Sequence, residues 1–170
     1  MGVQQVAGLL HVHNNQPAMN ITSFLSPDRV VCRDDIGSKK RLLEQLAELL
    51  GSSSQQLPQL AIYESLLNRE KLGSTGLGRG VAIPHGRIAA LEQPVCAFIR
   101  LEDAVEFDAT DGQPVDLAFA LLLPEESTRE RVEAVFRHRG WFLARVFEQE
   151  QVQRSEPCQE LAHADGADEG

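Results

Sequence analysis

The chain has 170 residues, of which 42% are hydrophobic and 24% charged, and its formal net charge is −9 at pH 7. This length suffices for one domain with a buried core, and the composition is ordinary for a globular protein. The acidic excess argues against a nucleic-acid or anionic-membrane surface, because both require a surplus of Lys and Arg. We therefore expect no nucleic-acid partner.

The hydropathy pattern also excludes a membrane-spanning protein. No apolar run reaches the length that a bilayer requires, and the N-terminus lacks the charged region of a signal peptide. The three cysteines are widely separated and form no CxxC pattern, so they give no indication of a metal site. We expect a cytoplasmic protein without membrane insertion, metal or cofactor.

Three sections of chain are distinguished by composition. Residues 1–18 are rich in Gln, Asn and His and show no useful periodicity, which predicts a flexible N-terminal tail. Residues 19–150 are predicted to form the domain, with some helical character over residues 129–150. Residues 151–170 are polar and end in small and acidic residues, which predicts a disordered C-terminal tail.

Two helices are predicted in the first half of the chain. Ser38 is a suitable N-cap for a helix through Leu50, whose leucines recur at helical spacing, and Gly51 ends it. Pro58 suits the first turn of a second helix over residues 58–70. The predicted buried face of this helix consists of Leu60, Ile62, Leu66 and Leu67.

Apolar stretches predict strands at Val30–Cys32, Val81–Ile83, Val95–Leu101 and Pro114–Pro124. The last of these is almost entirely apolar, as expected of a strand that is buried on both faces. Helices that precede strands favour the α/β class. We predict a single-domain sandwich with a mixed central β-sheet covered by helices.

The stretch from Arg69 to Gly86 carries the most chemical information. It places His85 after a short apolar strand and directly after Pro84, downstream of four glycines, two hydroxyl residues and two arginines. A neutral imidazole nitrogen is nucleophilic near neutral pH and can become a phosphohistidine. The chain has no GxxxxGK[ST] motif and no kinase-type glycine loop, so the phosphoryl group would come from another phosphoprotein.

The residues upstream of His85 are of the types that hold a phosphoryl group. Glycines allow backbone N–H groups to converge on an anion, and hydroxyls donate hydrogen bonds to its oxygens. The predicted phosphoryl-binding residues are Gly73, Ser74, Thr75, Gly76, Gly78 and Gly80.

Arg69 can supply a forked, charge-assisted contact to the added phosphoryl group. Arg79 and Arg87 are alternatives that are more suited to solvent or to a partner. Gly86 is expected to leave the open side of His85 free for a docking protein. By spacing alone, however, an ordinary glycine-rich turn with a loop histidine is the commoner explanation of such a stretch.

At these residues the chain resembles the type-2 enzyme IIA family of the bacterial phosphotransferase system. The matching pattern is an acid at Glu70, six residues, Leu77-Gly78, two residues, and Val81-Ala-Ile-Pro-His-Gly86. The likeness extends from about Ile21 to Pro124. It is strongest to the nitrogen-regulatory branch of that family.

The resemblance implies a mixed α/β sandwich and a phosphocarrier that is phosphorylated at Nε2 of His85. It implies an HPr-type phosphocarrier protein as the donor, and it places the phosphoryl-binding arginine of the family at Arg69. In the regulatory branch the phosphorylation state controls nitrogen, carbon or potassium metabolism through contacts with regulatory target proteins.

Beyond Pro124 the sequence departs from the family pattern. Arg131 stands where the family carries a second active-site histidine, and His138 does not fit the pattern. Arg-His-Arg at 137–139 can be encoded by CGC-CAT-CGC, which would read Ala-Ile-Ala in the adjacent frame and so form a good core helix. This leads to the hypothesis of a frameshift near residues 134–138. This departure leaves open an interaction module with impaired phosphotransfer as an alternative function. A sugar-specific transport subunit of the fructose or mannitol type is the other alternative.

Overall fold

A computed structural model describes residues 24–53 and 57–127 of the chain. Two helices and six strands lie within these ranges, in the order β1 (Leu25–Arg33), α1 (Lys39–Gly51), α2 (Gln59–Lys71), β2 (Gly76–Gly78), β3 (Val81–Ala82), β4 (His85–Ile88), β5 (Val95–Val105) and β6 (Val115–Pro124). The two predicted tails, the predicted helical segment 129–150, Arg131 and His138 lie outside the described residues. Neither α1 nor α2 is long and apolar enough to cross a bilayer.

Helix α1 forms as its sequence predicts. The Ser38 hydroxyl accepts a hydrogen bond from the backbone N–H of Arg41 at 3.2 Å, which satisfies one of the N–H groups left unpaired at a helix start. The predicted apolar stripe is Leu42, Leu43, Leu46, Leu49 and Leu50. All of these are buried except Leu49, which is partly buried, and Ala47 is buried with them. Packing of this stripe stabilises α1 more than helix propensity does.

Helix α2 is confirmed in position, but one residue of its predicted buried face is wrong. Ile62 and Leu66 are buried, whereas Leu60 is 66% exposed. Successive helical residues are about 100° apart, so Leu60 lies about 200° from Ile62 and faces solvent. The buried stripe continues instead from Leu66 to Glu70 one turn later.

The strands form one mixed sheet in the order β1-β5-β6-β3-β2, with β4 also paired to β6. Strands β3 and β4 run along the same edge of β6 in one register, with Val81 opposite Leu117 and His85 opposite Leu121. The ladder is interrupted between them because Pro84 has no N–H to donate. The Pro84 carbonyl still accepts the N–H of Leu121 at 3.0 Å, so β4 continues the line of β3.

Strand β6 is buried on both faces, as its apolar sequence predicts. Ala118, Ala120 and Leu122 belong to the larger core cluster, which includes the buried faces of α1 and α2. The alternate residues of β6 point to the opposite face of the sheet. There Phe119, Leu121 and Leu123 form a second buried cluster together with Ile83 and Cys96.

The exposure of Leu60 provides a matched test of this packing. We expect Leu46→Ala to lower the free energy of unfolding by about 2–5 kcal/mol, because Leu46 is fully buried and its removal leaves a cavity. Leu60→Ala is expected to change it by less than about 0.5 kcal/mol. Urea denaturation of both variants measures the difference, and equal losses would contradict the assignment of Leu60 to the surface.

Candidate functional site

His85 was predicted to lie directly after the strand Val81–Ile83 and Pro84, and it is the first residue of a further strand, β4, that was not predicted. In paired parallel strands, residues opposite each other point to the same face of the sheet. His85 is opposite Leu121 and Arg87 is opposite Leu123, so both share the face of the second buried cluster. The intervening Gly86 points toward α2.

Both nitrogens of the His85 imidazole have defined partners. Nδ1 lies 3.0 Å from the carbonyl oxygen of Ile83, and Nε2 lies 3.0 Å from Nε of Arg69. A carbonyl can only accept a hydrogen bond and a guanidinium can only donate one. The two neighbours therefore select the tautomer in which Nδ1 carries the proton and Nε2 presents its lone pair.

The surroundings of His85 favour the neutral ring. Burial lowers the pKa of His85, and the positive charges of Arg69 and Arg87 lower it further, against the opposing effects of the Ile83 carbonyl and Glu70. The ring is therefore unprotonated at Nε2 at neutral pH. A neutral imidazole is the nucleophilic form.

Arg69 lies in the last turn of α2 and contacts two groups at once. Its Nε donates to His85, and its Nη1 donates to the carbonyl oxygen of Gly73 at 2.9 Å. The second contact fixes the plane of the guanidinium, which leaves fewer rotamers open to the side chain. The structure thus brings together the predicted nucleophile and the predicted arginine.

The two predicted hydroxyl residues have partners within the fold. The Ser74 hydroxyl donates to the carbonyl oxygen of Phe107 at 2.8 Å and accepts the N–H of Gly76 at 3.1 Å. The Thr75 hydroxyl and backbone N–H both donate to the carboxylate of Glu70. These contacts tie the loop after α2 to the rest of the domain.

The remaining predicted glycines belong to a β-hairpin. Gly76 and Gly78 are the end residues of β2, and Gly78-Arg79-Gly80 forms the turn to β3. All three turn residues have positive φ, and at Gly80 a Cβ would lie 2.6 Å from the Asp116 side chain. Glycine is therefore required there for the turn and for close packing. Arg79 is tied to the neighbouring segment by its backbone N–H, which donates to Asp111 at 2.8 Å.

Gly86 is not an open docking position, which corrects the sequence-based expectation. It is buried, and a Cβ at this position would collide with the Ser65 hydroxyl oxygen and would approach the Ser65 backbone carbon to 3.2 Å. The Ser65 hydroxyl also accepts the N–H of Arg87 and donates to its carbonyl, both at 2.9 Å. Glycine at position 86 thus allows α2 to approach β4 closely, so that the Ser65 hydroxyl of α2 can hydrogen-bond the backbone of β4 at Arg87.

Sequence reasoning missed a buried ion pair next to Arg69. The Glu70 side chain is 3% exposed and its carboxylate lies 2.8 Å from Nζ of Lys39, which also lies 3.2 Å from the Asp108 carboxylate. Partial burial disfavours the charged lysine, but the hydrogen bonds and charges of Glu70 and Asp108 outweigh it and raise the Lys39 pKa. The family pattern marks an acid at Glu70, but that pattern does not indicate Lys39 as its partner.

No group of metal-ligating side chains occurs within residues 24–53 and 57–127.

Comparison with known proteins gives the class to which this fold and site belong. Residues 23–163 match the sequence model of the family described as "Phosphoenolpyruvate-dependent sugar phosphotransferase system, EIIA 2". Because the match covers most of the chain, the protein belongs to this family of phosphotransfer components. The match includes Arg131 and His138, which lie outside the described residues.

The chain is similar to several nitrogen regulatory proteins. The chain is 45% identical over 115 residues to the nitrogen regulatory protein of Pseudomonas aeruginosa, covering 68% of this chain and 75% of that protein. It is also similar to the structure of nitrogen regulatory protein IIA-Ntr from Neisseria meningitidis, with a TM-score of 0.68 and 44% identity over 76% of this chain and 88% of that one.

The structure of IIA mannitol from Escherichia coli has the same fold, with a TM-score of 0.56 at 20% identity over 84% of this chain and 93% of that one. The predicted α/β fold class and the family resemblance are both confirmed.

The close approach at Gly86 predicts a position-specific loss of stability. We expect Gly86→Ala to lower the free energy of unfolding by about 1–3 kcal/mol, because α2 must move away from β4. Gly37→Ala is the matched control, since a Cβ there meets nothing within 4 Å. Its expected change is below about 0.5 kcal/mol. Thermal unfolding of the two variants measures both, and a well-tolerated Gly86→Ala would contradict the packing described.

The lowered pKa of His85 predicts a specific pH dependence. NMR titration of the ring should give a midpoint below the ordinary value of about 6.5. The unfolded chain binds this proton at higher pH than the folded one, so the contribution to stability is complete above pH ~6.5 and is lost as pH falls through the folded pKa. Arg69→Ala should move the midpoint upward, and a midpoint at or above the ordinary value in the wild type would contradict the described environment.

Proposed function

We propose that this protein is a cytoplasmic regulatory phosphocarrier whose domain spans about residues 19–150. It accepts a phosphoryl group on Nε2 of His85 from an HPr-type phosphocarrier protein. Its phosphorylation state then controls nitrogen, carbon or potassium metabolism through contacts with target proteins. The observation that carries this proposal is the Nε2 lone pair of His85, with Nδ1 bonded to a carbonyl and Arg69 beside it.

The transfer step follows from the tautomer. The Nε2 lone pair attacks the phosphorus of the donor phosphohistidine, the donor phosphorus–nitrogen bond breaks, and its electron pair returns to the donor ring. When the other nitrogen of the donor ring is protonated, that ring leaves as neutral imidazole. Nδ1 of His85 keeps its proton, and its hydrogen bond to Ile83 stabilises the positive charge that the ring acquires.

Arg69 serves this step by its charge and its position. In the unphosphorylated protein its Nε–H points at the nitrogen that reacts. After transfer the same guanidinium can donate to phosphoryl oxygens, and these hydrogen bonds, charged at both ends, are stronger than the bond to a neutral imidazole that it gives up. The loop residues 73–80 contribute by holding Arg69 and the β-hairpin in place, through Gly73 in particular.

The regulatory role is favoured over sugar transport by the relatives. The similar proteins at 44–45% identity are both nitrogen regulatory proteins. The likeness to IIA mannitol, at 20% identity, concerns the fold.

Phosphotransfer is tested by incubating the protein with labelled phosphoenolpyruvate, enzyme I and an HPr-type protein. We expect acid-labile label on the wild type and none on His85→Ala. Arg69→Ala should remain folded and be labelled about 10- to 100-fold more slowly, because a charge that is stronger in the transition state is lost.

Lys71→Ala is the control for net charge, since Lys71 is an exposed cation two residues from Arg69 in the same helical turn. Its rate should stay within about threefold of the wild type, because the charge of an exposed side chain acts only weakly through water and salt. Absence of label on the wild type would refute phosphotransfer and would leave the interaction module as the remaining candidate function. Equal rates for Arg69→Ala and wild type would remove Arg69 from the site.

A further inference from the structure

We propose that Glu70 is a positioning residue that holds both hydrogen-bonding partners of His85 in place, and so sets which imidazole nitrogen is available to react. Its effect on transfer rests on the function proposed above. Its effect on the imidazole itself does not, because the tautomer exists before any phosphoryl group arrives.

Glu70 is suited to this role because it is a buried carboxylate with several donors. It accepts the Thr75 backbone N–H at 3.1 Å and the Thr75 hydroxyl, and it lies 2.8 Å from Nζ of Lys39. A buried carboxylate needs such partners, since an unpaired buried charge is strongly unfavourable. These contacts fix Thr75 relative to the end of α2.

One path leads from Thr75 to Nδ1 of His85. The carbonyl oxygen of Thr75 accepts the N–H of Ile83 at 3.0 Å. The carbonyl oxygen of the same Ile83 accepts the proton of His85 Nδ1 at 3.0 Å. Displacement of Thr75 therefore moves the carbonyl that selects the tautomer.

A second path leads through the loop to Nε2. The loop from Leu72 to Thr75 is short, and Glu70 accepts hydrogen bonds from two of its residues. The backbone carbonyl of Glu70 accepts the N–H of Gly73 at 3.2 Å, and the carboxylate of Glu70 accepts the N–H of Thr75. The Gly73 carbonyl accepts Nη1 of Arg69, whose Nε faces Nε2 of His85. Both sides of the ring thus depend on the loop that Glu70 anchors.

The role requires a carboxylate rather than an amide of the same shape. A carboxylate offers only acceptors, and here it meets an N–H, an O–H and an ammonium. The amide of Gln would direct an NH₂ group at one of these donors. Glu70→Gln should therefore displace Thr75 with almost no change in side-chain volume.

The test compares Glu70→Gln with Glu44→Gln, which makes the same change at an exposed ion pair on α1. Nitrogen-15 NMR of ring-labelled histidine reports which nitrogen carries the proton, and His85→Ala identifies the resonances. We expect Nδ1–H in the wild type and in Glu44→Gln, and a mixture of the two tautomers in Glu70→Gln. We also expect Glu70→Gln to be labelled about 10- to 100-fold more slowly, since misplacement of reacting groups costs this much.

Each outcome decides the proposal. A folded Glu70→Gln protein with the wild-type tautomer would overturn it, even if its transfer rate fell. If Glu70→Gln does not fold, Thr75→Val removes one hydroxyl contact and should shift the tautomer mixture in the same direction, and an unchanged tautomer would overturn the proposal. Failure of the wild type to accept label would refute the proposed function, while the tautomer shift would still decide the role of Glu70.

Discussion

The structure around His85 depends on one constraint, which is that the imidazole is bonded at both nitrogens by groups of opposite hydrogen-bonding character. The Ile83 carbonyl accepts a hydrogen bond from Nδ1, and the Arg69 guanidinium donates one to Nε2. These two groups come from different elements, the link after β3 and the last turn of α2. The relative position of α2 and the sheet therefore determines the chemistry of the ring, and Ser65 and Gly86 set that position.

The parts of the fold that local pattern determines could be predicted. Helix α1 and strand β6 follow from leucine spacing and from a continuous apolar run, because each buries residues at the period of its own backbone. Strand β4 could not be predicted this way. Its sequence His-Gly-Arg-Ile lacks a strand pattern, and it is held by pairing with β6 and by the Ser65 hydroxyl, both distant in sequence.

The site was predictable to a similar degree. His85 and Arg69 could be named from chemistry and family pattern, and the structure places them 3.0 Å apart. The hydroxyls of Ser74 and Thr75 were predicted to bind a phosphoryl group, and in this structure each donates to an acceptor within the fold. Those acceptors are the Phe107 carbonyl and the Glu70 carboxylate. Because a side chain's hydrogen-bond partner depends on tertiary contacts, residue type alone could not decide it.

In the transfer proposed above, the resting contact between Arg69 and Nε2 bears on reactivity, because that hydrogen bond occupies the lone pair that would attack phosphorus. A hydrogen bond to a charged group contributes about 1.5–3 kcal/mol, so its loss alone would slow transfer appreciably. The incoming phosphoryl oxygens are negatively charged acceptors for the same N–H, so the new hydrogen bond is charged at both ends, whereas the bond to the neutral imidazole is charged at one end only. The exchange of partners thus favours the phosphorylated state, and it needs only a small movement of a guanidinium that the Gly73 carbonyl already holds beside the ring.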